Sequence, residues 1–200
     1  MTVRRMDAAF EELKWDGEAT LGRDFVRGYM ASRDLETLGT IYCFVCDEQS
    51  VRRISPPLGY DELQEFARRY LGRCLREDPQ TDDFMSQRSL TRQGAAWDIV
   101  RWYIRLLKSE PSETGALALW RGWLAEVYRG GDERLRYDII CSVLEHLFAS
   151  AAARRTFADW RDDRDLDAAY RAALPARSPA HGLRVIRSIA DLGESAAASR

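Results

Sequence analysis

Lysine is nearly missing from this 200-residue chain. Lys14 and Lys108 are the two lysines among 30 basic residues, which leaves 28 arginines. Histidine is equally scarce, with His146 and His181 alone, so few side chains are ready to act as bases or metal ligands near neutral pH. Neither charge sign dominates: 30 basic residues stand against 32 acidic ones, a formal charge of −2. That balance gives no general pull toward nucleic acid or an anionic membrane surface. Long apolar runs are lacking too. The longest lies near Ile41 to Cys46, far short of the roughly 20 residues that span a bilayer. A Gly-rich phosphate loop, H-E-x-x-H, G-x-S-x-G and an EF-hand loop are all absent from the sequence. The opening residues, Met1 to Asp7, turn polar at once and form no apolar signal core. With four cysteines, this points to reduced thiols and a cytoplasmic protein.

What the chain does have is helical period. Val3, Met6, Phe10 and Leu13 recur at helix spacing, and Gly17 stops that helix. Leu21, Phe25, Val26, Tyr29 and Met30 mark a second helix. Asp34 can cap a third, with Leu35, Leu38, Ile41, Tyr42 and Val45 on one face. Thr40 to Cys46 is also rich in strand-forming residues, so strand is the alternative there. Ser55-Pro56-Pro57-Leu58-Gly59 breaks the chain. The helix that Asp61 opens carries acids early and Arg68, Arg69, Arg73 and Arg76 late, which complements the helix dipole. Asp78 to Gln87 reads as a loop.

Further helices are expected over Ala96–Leu107, from Pro111 to Gly130-Gly131, from Asp132 to Phe148, and around Phe157–Trp160 and Leu166–Leu174. Pro175 to Gly182 reads as a linker and Leu183 to Leu192 as a last short helix. Short turns between helices favour antiparallel neighbours. The expected fold is therefore all-α, a multi-helix bundle or a short stack of antiparallel helical hairpins. It should form one domain over 1–192, with 78–90 as the place for any subdivision and 193–200 as a flexible tail.

Candidate sites compete with plainer readings. Cys43-Phe44-Val45-Cys46 is a C-x-x-C, but a zinc site needs two more ligands, such as Cys74 with Cys141 or His146. Two buried thiols on a buried segment is the simpler reading. Glu145-His146 has the residue types for acid–base work, yet a structural seat for His146 at a helix contact suffices. Asp162, Asp163, Asp165 and Asp167 cluster at a helix start, where capping explains them without magnesium. No catalytic residue, metal ligand or cofactor is assigned on these grounds.

Five of the six tryptophans fall between Trp97 and Trp160. Trp97 and Trp120 lie on inward faces. Trp102 and Trp123 fall off the main stripes and, if exposed, would form a partner-binding surface with Arg101, Arg105 and Arg121, since tryptophan and arginine dominate interface hot spots. The competing reading is a helix buried on two sides.

From Trp123 to Leu147 the chain reads W-L-A-E-V-Y-R-G-G-D-E-R-L-R-Y-D-I-I-C-S-V-L-E-H-L. This run, in which a helix ends in a G-D-E turn before a V-x-x-x-L-E-x-L-like helix, resembles a group of uncharacterised all-helical bacterial proteins. The likeness extends over about residues 97–174. Some members look like immunity or accessory proteins of toxin systems, so the resemblance implies binding to another protein, such as a toxin. It transfers no catalytic residue. Three functions follow as expectations. The first is a non-catalytic helical protein-binding protein, the second a small helical enzyme or metalloprotein using His146, Glu145 and the cysteines. A nucleic-acid module built on arginine patches comes last.

Overall fold

The computed structural model describes residues 19–79, 90–109 and 114–175. Among them the expected all-α class holds, with one two-stranded exception. The chain divides into two compact units that part between Arg92 and Gln93. The predicted helices at Val3–Leu13 and Leu183–Leu192, most of the 78–87 loop and the 193–200 tail lie outside the described residues.

The first unit opens with β1 (Leu21–Gly22) and α1 (Arg23–Met30), followed by α2 (Leu35–Cys46) and α3 (Glu48–Val51). It closes with β2 (Ile54–Ser55) and α4 (Tyr60–Glu77). Leu21 was expected in a helix and instead pairs with Ile54, as Gly22 does with Ser55, in a parallel ladder. The Leu21 N–H donates to the Arg53 carbonyl at 2.9 Å, which ties the residue to β2 and delays the helix until Arg23. The ambiguous 40–46 stretch is helix. Asp34 starts α2 as a cap, its carboxylate accepting from the Thr37 N–H at 2.7 Å and the Thr37 hydroxyl at 2.6 Å. At the far end of α4, Asp78 takes a left-handed conformation (φ 43°), which aspartate tolerates better than most residues. Tyr42 packs on Tyr70 with ring centroids 4.7 Å apart, and Val26, Leu38, Ile41, Phe66 and Leu71 fill the space around them.

The second unit begins in α5 (Arg92–Lys108), which opens at the parting, and continues with α6 (Thr114–Gly130). Gly131 follows the end of α6, and a side chain there would be crowded: an added Cβ would come within 3.0 Å of Leu135 and 3.2 Å of the Val127 carbonyl. Asp132 caps α7 (Glu133–Ile139) by accepting the Leu135 N–H at 2.8 Å. The helix then runs through a π-helical turn (Ile140–Leu144) into α8 (Glu145–Phe148). Its buried residues are Leu135, Ile139, Val143, Leu144, Leu147 and Phe148. A single unbroken α-helix was expected over this stretch. α9 (Ala151–Thr156), which the sequence reading missed, follows Ser150 as its cap. The helix expected at Phe157–Trp160 is a 3₁₀ turn (Ala158–Asp162), and α10 (Arg164–Ala172) ends the described chain.

Arginine does the same job in both units. The last carbonyls of a helix have no partner inside it, and guanidinium forks reach them here. Arg69 donates to the carbonyl of Met30, the last residue of α1. Arg92 donates to Leu75 in the last turn of α4 at 2.7 Å. Arg136 serves Tyr128 at 3.1 Å and Arg129 at 2.8 Å, both at the end of α6. Arg121 reaches Thr156, the last residue of α9. A planar fork suits this task better than an ammonium point charge.

Candidate functional site

α5 and α6 carry all five residues of the predicted partner-binding surface, and the structure sorts them. Trp102 is not exposed: only 7% of it meets solvent, and its ring stacks on Trp120 at 5.7 Å and 22°. The reason is that α5 is buried on two sides, with Ile99, Trp102, Tyr103 and Leu106 all inside. Trp123 is half-buried and meets Trp120 edge-on at 5.6 Å. Arg105 remains exposed, its guanidinium 5.3 Å above the Trp102 ring. Arg101 is exposed and paired with Asp98 at 2.8 Å. Arg121 is held inside the unit by the Thr156 carbonyl and by Asp159 at 3.0 Å. The result is a continuous layer, Arg105 on Trp102 on Trp120 against Trp123, whose outer members are Arg105 and Trp123.

The sequence reading missed the most exposed apolar side chain on α6. Leu119 is 61% exposed, and Trp123 lies one turn further on the same face. Gly115, Ala118 and Gly122 are exposed beside them. No charged residue occurs from Thr114 to Trp120. A soluble helix normally turns charge outward, so this uncharged run on an outer face was the available signal.

The other candidates separate. Cys74 is buried, and burial pushes its thiol up to about 11 beside the Tyr70 hydroxyl. Cys43 is exposed and Cys46 and Cys141 are half-buried, so the expectation of two buried C-x-x-C thiols fails outright for Cys43. Cys43 lies on the outer side of α2, while Ile41, Tyr42 and Val45 fill its inner face. The Cys43, Cys46 and Cys74 thiols belong to the first unit and Cys141 and His146 to the second. Among the described residues no group of three or more His, Cys, Asp or Glu side chains is placed to hold a metal ion.

His146 lies against Trp97, ring centroids 4.5 Å apart, with its Nδ1 buried and without a hydrogen-bond partner. Burial lowers its pKa from the ordinary value, and the charge of Glu145 opposes the change. In the aspartate cluster, Asp163 caps α10, accepting N–H bonds from Asp165 at 3.0 Å and Leu166 at 3.1 Å, and pairs with Arg129 at 2.7 Å. Those hydrogen bonds and that guanidinium hold its pKa below the usual carboxylate range. Asp167 pairs with Arg171 at 2.8 Å. Within the cluster, the capping expected there is seen at Asp163.

No described helix is long and apolar enough to cross a membrane. Comparison with protein-family models, curated proteins and solved structures found no match to this chain.

Proposed function

We propose that this is a non-catalytic protein-binding protein that engages its partner through the outer face of α6. One observation carries the reading: exposed Leu119 and half-buried Trp123 stand a turn apart on an outer helix face, and a stacked tryptophan layer holds that face rigid from below. Rigid apolar anchors cost little conformational entropy on binding. Aromatic side chains with nearby arginine are what interface hot spots use, and Arg105 supplies the arginine at the rim. The kind of partner comes from the resemblance over Trp123–Leu147, which favours a toxin-type protein and an immunity or accessory role in a bacterial conflict system.

The test is co-expression with the product of the adjacent gene, followed by size-exclusion chromatography. A stoichiometric complex is expected with the wild-type chain. Leu119→Arg should abolish it while changing unfolding free energy by no more than about 0.5 kcal/mol, as for other exposed positions. A complex that survives Leu119→Arg would remove α6 from the interface.

A further inference from the structure

The second unit contains a cavity of about 340 Å³ where the start of α6 meets the junction of α9 with the 3₁₀ turn. Its charge comes from Arg121, Arg155 and Asp159, and its apolar wall from Leu117 and Ala158. The two arginines differ in what they have left to give. Arg121 spends one nitrogen on the Thr156 carbonyl and another on Asp159, so its guanidinium is fixed against the wall. The Arg155 side chain is exposed and makes no hydrogen bond or ion pair with any described residue. A guanidinium has five donors in a fork matched to a carboxylate. The Thr156 hydroxyl is spoken for, since it donates to the Ala153 carbonyl at 2.6 Å and lies 2.7 Å from the Tyr103 hydroxyl.

Two guanidiniums against one carboxylate leave a single positive charge on the lining. A monoanion neutralises it, whereas a phosphate dianion brings one charge too many. The volume lies at the small end of the roughly 300–1,000 Å³ range of ligand sites. The geometry points to a binding site for a small organic carboxylate, whose acid group is forked by Arg155 beside Arg121 and whose apolar body rests on Leu117 and Ala158. This site lies on a different face of α6 from Leu119 and stands or falls separately from the protein-binding proposal.

Isothermal titration of the full chain with benzoate tests it, with acetate and phenyl phosphate as comparators. Saturable one-to-one binding of benzoate is expected. Acetate, which lacks the apolar body, should bind at least about tenfold more weakly. Arg155→Gln should weaken benzoate about tenfold with an unchanged melting curve, and Leu119→Arg should leave it unaltered. Absence of saturable heat, equal binding of acetate, tighter binding of phenyl phosphate, or wild-type affinity in Arg155→Gln would each overturn the assignment.

Discussion

The two units solve one problem with different side chains. Each buries a core of helices and closes helix ends with arginine, but the first packs tyrosine and phenylalanine and the second adds tryptophan to them. In the first, Phe25, Tyr29, Tyr42, Phe66 and Tyr70 form the aromatic contacts. In the second, Trp102, Trp120 and Trp123 build a layer that continues to a half-exposed face. Both sets reach a half-buried ring, Phe25 in the first unit and Trp123 in the second. What differs is the neighbour: Trp123 shares its outer helix face with Leu119, which is 61% exposed. On the proposed function, that difference puts the binding surface in the second unit, on α6.

The sharpest way to break this comparison is Trp120→Ala. Trp120 is 1% exposed and touches both other members of the layer. Its loss should cost about 3–5 kcal/mol, within the range for large-to-alanine changes in a core, measured as a shift in the urea midpoint. Trp123→Ala, at the half-buried end, should cost distinctly less. Equal losses would mean that the layer is core throughout and that its outer end has no separate role.

Next in size is the arginine capping common to both units. Arg136→Lys keeps the charge but cannot fork to the Tyr128 and Arg129 carbonyls together. A loss of about 1–3 kcal/mol is expected, typical of hydrogen bonds to charged groups. Arg92→Lys, beside the Leu75 carbonyl and 3.8 Å from Asp78 in the first unit, should behave alike. If both lysine variants melt as the wild type does, charge near a helix C-terminus is enough and the fork is incidental.

Aspartate caps should come next, at about 1 kcal/mol each for Asp34→Ala and Asp132→Ala. Asp34 adds a pH signature. Hydrogen bonds from the Thr37 hydroxyl and N–H hold its carboxyl below the ordinary value. The folded chain thus prefers the carboxylate, so the stabilisation is present above about pH 3.9 and disappears as acid protonates the native group. Urea midpoints of wild type and Asp34→Ala should converge as pH falls through that window. A constant gap would show that the cap works without its charge.

These contrasts also explain what could be read from the sequence. Amphipathic spacing exposed most helices, because burying one stripe is the main demand on each. Asp34, Asp132 and Asp163 were legible as caps because capping is a local interaction between residues two or three apart. Leu21 was misplaced because its partner, Ile54, is distant in the chain. The π turn went unseen because its apolar spacing, with Val143, Leu144, Leu147 and Phe148 all buried, is that of ordinary helix. Trp102 was misjudged for a related reason: off-stripe position means exposure only when a helix is covered on one side. Leu119 was legible in principle, as an apolar residue in an uncharged run, but only the structure distinguishes its outward face from the inward face that buries Leu117.

The smallest expected effect concerns His146, and it tests whether the second unit tolerates a polar group in its aromatic packing. Trp97 covers the ring, and Nδ1 is buried with no acceptor or donor opposite it. Burial therefore favours the neutral ring in the folded chain, and Glu145 offsets this only in part. The native pKa lies below the unfolded one, so the unfolded chain binds the extra proton more readily. His146 stabilises the fold above about pH 6.5 and that contribution drains away as pH falls through the lower native value. Carboxylates such as Asp34 and Asp163 titrate well below this range, so about pH 5 to 7.5 isolates the histidine. Over that interval wild type should lose stability faster on acidification than His146→Phe, in which no ring can charge. Trp97 gives the local readout, because charging the ring beside it should quench its fluorescence. Identical pH slopes in the two proteins would mean that the ring charges as easily inside as out, and that the Trp97 contact imposes no preference on it.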